Sequence, residues 1–110
     1  MSKFMNVVRF QVKPEFKDVI VSKFAAFERP SGYQMGRLIQ TGKFTYCSVG
    51  EWDNQESLVN ARPAMIGFLD SVRHMLDEIS PEPGVTDPVS GPVIIEQQRI
   101  SSTIFNQGER

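Results

Sequence analysis

At 110 residues, with 12 basic and 13 acidic side chains scattered along it, a net charge of −1 and 40% hydrophobic residues, the chain has the size and composition of one globular domain. That balance gives no electrostatic footprint for phosphate backbones or anionic bilayers, so neither nucleic acid nor a membrane is expected as a partner. The single Cys47 excludes an internal disulfide, no run approaches the roughly 20 apolar residues of a spanning helix, and residues 1–10 lack the apolar core of a signal peptide; a cytoplasmic location is expected.

Residues 4–12 alternate, with Phe4, Val8, Phe10 and Val12 on one face and Arg9 and Gln11 on the other, which predicts a first strand. Asn6 falls on the apolar face, where an amide needs a hydrogen-bond partner or a polar ligand. Pro14 opens a helix whose stripe of Phe16, Val19, Ile20, Phe24 and Phe27 packs on the sheet, and residues 29–32 end it. Residues 33–40 form a second strand, Thr41, Gly42 and Lys43 a tight reversal, and residues 44–52 a third strand pairing antiparallel with the second. Asp53 or Asn54 N-caps a second helix, with Glu56 in its first turn. Its apolar stripe runs from Leu58 to Ile79, and Pro63 is expected to kink or split it near its start. Residues 80–91 hold three prolines and two glycines and read as a rigid irregular loop, a lid or a dimer clasp. Residues 92–100 form the fourth strand, and residues 100–110 a flexible tail or one that reaches a partner subunit.

This βαββαβ order predicts an α+β, ferredoxin-like sandwich, an antiparallel sheet with both helices on one face, in a single domain spanning residues 1–110. The other face mixes Val and Met with Arg and Gln, a surface better suited to an interface than to open water. A homodimer packed sheet on sheet is expected.

Ser31, Gly32 and Tyr33 entering a strand, Arg37, Leu38 and Ile39 within it, the turn at Gly42, Val49 to Trp52 closing the third strand, and Ala61 to Met65 in the second helix together resemble the dimeric α/β-barrel superfamily. Within it the chain resembles the antibiotic-biosynthesis-monooxygenase-like proteins, over nearly its whole length. The resemblance implies a dimeric barrel whose members include cofactor-independent oxygenases of polycyclic phenols and haem-degrading enzymes. The haem-degrading members use an Asn on the first strand and a Trp and a His on the second helix. Laid against that pattern by Trp52, this chain offers Val8, Ala61 and Ser71, with Asn6 and His74 out of step, so haem degradation is not expected.

One His and one Cys on separate elements supply too few ligands for a nitrogen or sulfur metal site, and no metal is expected. Cys47 in mid-strand reads as a small buried hydrophobe. His74 is a helix residue near Asp70 or Asp77, or a general base at a pocket mouth; Asn6 makes a structural hydrogen bond, or orients a substrate carbonyl or a peroxide. Trp52 anchors the third strand to the second helix, or walls a pocket for a flat aromatic ligand. Tyr33 and Tyr46 could supply hydroxyls to that pocket and Arg37 could hold an anionic oxygen, each also reading as a sheet or interface residue; Arg62 faces the pocket at the helix kink or lies in solvent.

Two readings follow. In the first, the protein is an oxygenase or isomerase of a small aromatic or carbonyl compound bound between helices and sheet, with Asn6 and His74 catalytic. Tyr33, Arg37, Tyr46, Trp52 and Arg62 then bind the substrate, and no cofactor is required because the substrate's own carbanion reacts with oxygen. In the second, it is a non-catalytic small-molecule-binding or stress-associated dimer, favoured by the lone His and the lack of an acid–base pair.

Overall fold

In a computed structural model, which describes residues 3–79 and 84–97, the central strand is β1 (Phe4–Val12). One edge of β1 pairs antiparallel with β3 (Thr45–Trp52), in the register Phe4 to Trp52, Asn6 to Gly50, Val8 to Ser48 and Phe10 to Tyr46. The outer side of β3 pairs with β2 (Tyr33–Gln40), as the short reversal between them requires. Two strands share the other edge of β1: β4 (Leu76–Asp77) lies against Gln11 and Val12, and β5 (Thr86–Pro92) against Phe4 to Phe10. The sheet order is therefore β2, β3, β1, then β4 and β5 along one edge.

Pro14 begins a single 3-10 turn, Pro14–Phe16, that runs into α1 (Lys17–Ala26). Gly32, at a φ of 86° that a side chain would strain, turns the chain from there into β2. Helix α2 (Gln55–Val72) is capped by Asn54, whose side chain accepts from the Ser57 N–H at 2.9 Å.

Both helices cover the same face of the sheet. Phe10, Val12 and Tyr46 from that face enclose Ile20 of α1 and Val72 of α2 with Met75 and Leu76, and Phe24, Phe68 and Leu69 close over them. Phe10 stacks on Phe24 with ring centroids 5.2 Å apart, and Phe24 meets Phe68 edge-on at 5.0 Å. Ile20, fully buried, contributes about 1.5–3 kcal/mol by leaving water. A second, smaller cluster of Phe4, Trp52, Leu58 and Ala61 sits at the far end of the same face, with Tyr33 and Met65 against it.

The fold is thus the expected α+β, ferredoxin-like sandwich, but its C-terminal third departs from expectation. Helix α2 ends at Val72, Arg73–Met75 form a 3-10 turn, and Leu76 leaves the helix to pair with Val12. An apolar run reads alike for a buried helix and a buried strand, so Met75 and Leu76 stayed in the predicted stripe. Pro63 does not split α2; it and Val59, whose carbonyl it cannot bond, are both exposed, on the solvent side of the helix.

The expected loop at residues 80–91 holds all of β5 except Pro92, and residues 80–83 lie outside the described part. Its prolines are tolerated because, among the described residues, β5 pairs on one side only. The expected fourth strand accordingly comes too late in the sequence. Regular pairing stops at Pro92, residues 93–97 form no strand, and residues 98–110, including the expected tail, lie outside the described part.

Candidate functional site

Between the two core clusters, the helix-facing side of the sheet is built from small and polar residues: Asn6 and Val8 of β1, Ser48 and Gly50 of β3, and Gly36 of β2. The indole Nε1–H of buried Trp52 donates to Asn6 Oδ1 at 2.8 Å. Because an indole N–H can only donate, it takes the oxygen side of the amide and fixes which edge remains. The remaining edge, Nδ2, has no acceptor among the described residues, and Asn6 is only half-buried. Tyr33 lies against Trp52 with centroids 4.8 Å apart, and its ring extends over the sheet toward Gly36.

Two glycines make this arrangement fit. They face each other across β2 and β3, Gly36 opposite Gly50. A Cβ on Gly36 would overlap the Tyr33 hydroxyl, and one on Gly50 would stand 2.7 Å from Asn6 Oδ1 and 3.0 Å from Tyr33 Cε1. The sequence reading missed both as site residues. A glycine inside an aromatic, β-branched strand often marks such a close approach, and Gly50 carried that signal.

Asn6, Trp52 and Tyr33 are therefore brought together, and the other candidates are not. His74 stands on the 3-10 turn after α2, exposed, with Phe16 edge-on at 5.5 Å. That turn adjoins Val12, six positions along β1 from Asn6 and so about 20 Å away at roughly 3.3 Å per residue. Within one chain the two side chains do not meet. Tyr46 is buried in the larger cluster, stacked on Phe10 at 5.7 Å, and Arg62 is exposed on α2. The register of β2 turns Arg37 to the face opposite the helices, beside Val49.

Close to the cluster, an open groove of about 670 Å³ separates the end of α1 from the middle of α2, with Phe27, Arg29, Pro30, Ala64 and Phe68 among its walls. Phe27 and Phe68 lie 4.9 Å apart. The Pro30 carbonyl accepts the Tyr33 N–H at 3.1 Å, so the groove rim and the cluster are joined through one turn of chain. Among the described residues, no three His, Cys, Asp or Glu side chains gather as metal ligands, and no helix is long and apolar enough to cross a membrane.

Burial pushes the Tyr33 hydroxyl above its ordinary value of 10.0, with the Arg29 charge partly opposing the shift. A group whose folded pKa is raised binds its proton more tightly in the native state. The stability this lends is complete below the unfolded value and is lost as pH rises through the folded one. Wild type should therefore lose more stability than Tyr33→Phe between about pH 9 and about pH 11 in denaturant titrations, and equal losses would contradict the burial of the hydroxyl.

Chemically, the cluster offers a fixed amide N–H edge for a carbonyl or oxyanion, a phenol hydroxyl, and aromatic surface for a flat ring. Its only ionisable member is Tyr33.

The sequence matches no protein-family model and no curated protein. Among solved structures, a Nitrosomonas europaea protein described as an antibiotic biosynthesis monooxygenase is similar at 10% identity, covering 84% of this chain and 91% of its own, with a TM-score of 0.69. SnoaB, a cofactor-independent oxygenase from Streptomyces nogalater, is similar at 18% identity, covering 89% and 97%, with a TM-score of 0.58. A dimeric ferredoxin-like protein from an uncultured marine organism is similar at 11% identity, covering 91% and 95%, with a TM-score of 0.67. The chain therefore has the ferredoxin-like fold found in the antibiotic-biosynthesis-monooxygenase-like structures.

Proposed function

We propose that the protein binds a small aromatic or carbonyl compound between its helices and sheet and acts on it as a cofactor-independent oxygenase. Asn6 Nδ2 donates to the ligand oxygen, while Trp52 and Tyr33 pack the ring. The observation that carries this reading is the Trp52 to Asn6 hydrogen bond, which holds the amide with its donor edge unengaged among the described residues. The fold shared with SnoaB supports the reaction class.

With no base beside Asn6 among the described residues, this reading takes a substrate acidic enough to ionise by itself, as a polycyclic phenol or an enolisable ketone is. Its carbanion passes an electron to dioxygen and the pair recombines through a new C–O bond. The peroxide takes up the proton lost on ionisation and loses water to leave a carbonyl, so one oxygen atom is retained and the other leaves as water, while the amide N–H stabilises the charge on the substrate oxygen. A second reading, binding without turnover, is favoured by the distance between His74 and Asn6.

We further propose that two copies associate through the open sheet face. Val7, Val49 and Val89 lie in register there across three strands, and Val89 and Ile39 are 62% and 46% exposed. A dimeric neighbour of the same fold supports this assembly.

Trp52 is the sole tryptophan, so its fluorescence reports this site. Titration with a tricyclic phenol should quench it, and Asn6→Ala should weaken binding about tenfold, the loss of one hydrogen bond to a charged oxygen. Oxygen uptake that depends on Asn6 would support the oxygenase, and binding without uptake the second reading. Binding and turnover unchanged in Asn6→Ala would overturn both.

A further inference from the structure

We propose that Ser90 is a second hydrogen-bond donor to the ligand oxygen, so that its hydroxyl and the Asn6 amide hold that oxygen between β5 and β1. The inference deepens the function proposed above and rests on its placing of a ligand at Asn6. Asn6 stands directly opposite Ser90 in the register of the two strands, as it stands opposite Gly50 on its other side. Direct partners point to the same face of a sheet with Cβ atoms about 4.5–5.5 Å apart, so the two polar tips can reach one atom between them.

The orientation of the amide selects this side. Its oxygen accepts from Trp52 and lies over β3, where a Cβ on Gly50 would stand 2.7 Å from it. Oxygen and nitrogen occupy opposite edges of a planar amide, so Nδ2 is turned from β3 toward β5. Neither Nδ2 nor the Ser90 hydroxyl has a hydrogen-bond partner among the described residues. No buried side-chain nitrogen or oxygen among those residues lacks a partner, so the unbonded amide edge is open to solvent. Pro88 and Ser90 pair with Val8 and Asn6 on the side that carries the helices, yet both are exposed. The helices therefore leave this margin of the sheet uncovered, and a ligand can reach Asn6 from it.

The pair suits an oxygen that gains negative charge. Hydrogen bonds to an ionised acceptor are roughly twice as strong as those to a neutral one, so two donors on one oxygen favour a phenolate or enolate over its protonated form. The Ser90 hydroxyl rotates to meet that oxygen and brings no charge of its own.

The test titrates phenanthrol, a tricyclic phenol, against the full chain, with Trp52 fluorescence reading affinity and phenolate absorbance reading ionisation of the bound probe. In wild type the bound phenol should ionise at a lower pH than the free one. Ser90→Ala should weaken phenolate binding about tenfold and raise the pH at which the bound probe ionises by about one, with the neutral phenol bound within about twofold of wild type and the Tm unchanged. Ser90→Thr, which keeps the hydroxyl, should behave as wild type. If Ser90→Ala binds phenolate as wild type does while Asn6→Ala loses tenfold, the second donor is overturned and the Asn6 site stands. If Ser90→Thr loses as much as Ser90→Ala, or if phenol and phenolate are lost equally, the hydroxyl does not hold the charge and the proposal also falls. No binding by wild type, or none lost in Asn6→Ala, would remove the site and the pair together.

Discussion

Trp52→Ala is expected to destabilise the fold by about 3–5 kcal/mol, the usual cost of truncating a fully buried large aromatic side chain. Trp52 is 1% exposed and fills the space between Phe4, Leu58 and Ala61, a cluster too small to close over the void. The truncation also takes away the donor to Asn6 Oδ1. Against the 5–15 kcal/mol typical of a whole domain, this loss leaves little in reserve. Trp52→Phe separates the two contributions: it keeps most of the volume and should cost about 1–2 kcal/mol through the orphaned amide oxygen. Adding Asn6→Leu to Trp52→Phe should restore part of that loss, because no unpaired acceptor then remains. Urea denaturation followed by circular dichroism measures all three, and equal stabilities for Trp52→Phe and wild type would show that the hydrogen bond contributes nothing.

Gly50→Val should damage the site and the fold together. Any Cβ at this position stands 2.7 Å from Asn6 Oδ1 and 3.3 Å from Trp52 Nε1, so it intrudes on the hydrogen bond that joins them. The side chains must move off their rotamers, at a cost of about 1–3 kcal/mol. Ligand quenching of Trp52 should fall with the displaced amide. Gly67→Ala is the contrasting control, since a Cβ there meets nothing within 4 Å and the residue lies within α2. It should stabilise by about 0.5–1 kcal/mol through helix propensity alone. If both variants melted like wild type, the tight floor under Asn6 would be wrong.

The elements that the sequence made legible are those whose local pattern and tertiary role agree. β1 alternates except at Asn6, β2 and β3 are marked off by the turns at residues 29–32 and 41–43, and α1 carries an aromatic stripe after a proline, so all four emerge within a few residues of their bounds. β5 was hidden by its own composition: Pro88, Gly91 and Pro92 signal a loop, and only its one-sided pairing with β1 makes them acceptable in a strand. Asn6 was legible as a polar exception on an apolar face. Its partner was not, because Trp52 lies 46 positions away and only the strand register brings the two side chains together. His74 shows the opposite failure: helical spacing carried past Val72 put it on a helix face that does not exist.

The proline-bearing strand at the margin of the sheet also decides how this protein can meet others. An edge strand with free N–H and C=O groups is a template for another chain's strand, but Pro88 and Pro92 remove donors from β5 and shorten the run that an incoming backbone could extend. At the other margin, β2 presents Gln34, Arg37 and Gln40 as exposed polar side chains. Strand-by-strand growth into fibres is discouraged at both borders. Association of copies through the broad face, as proposed above, would by contrast close after one partner under two-fold symmetry.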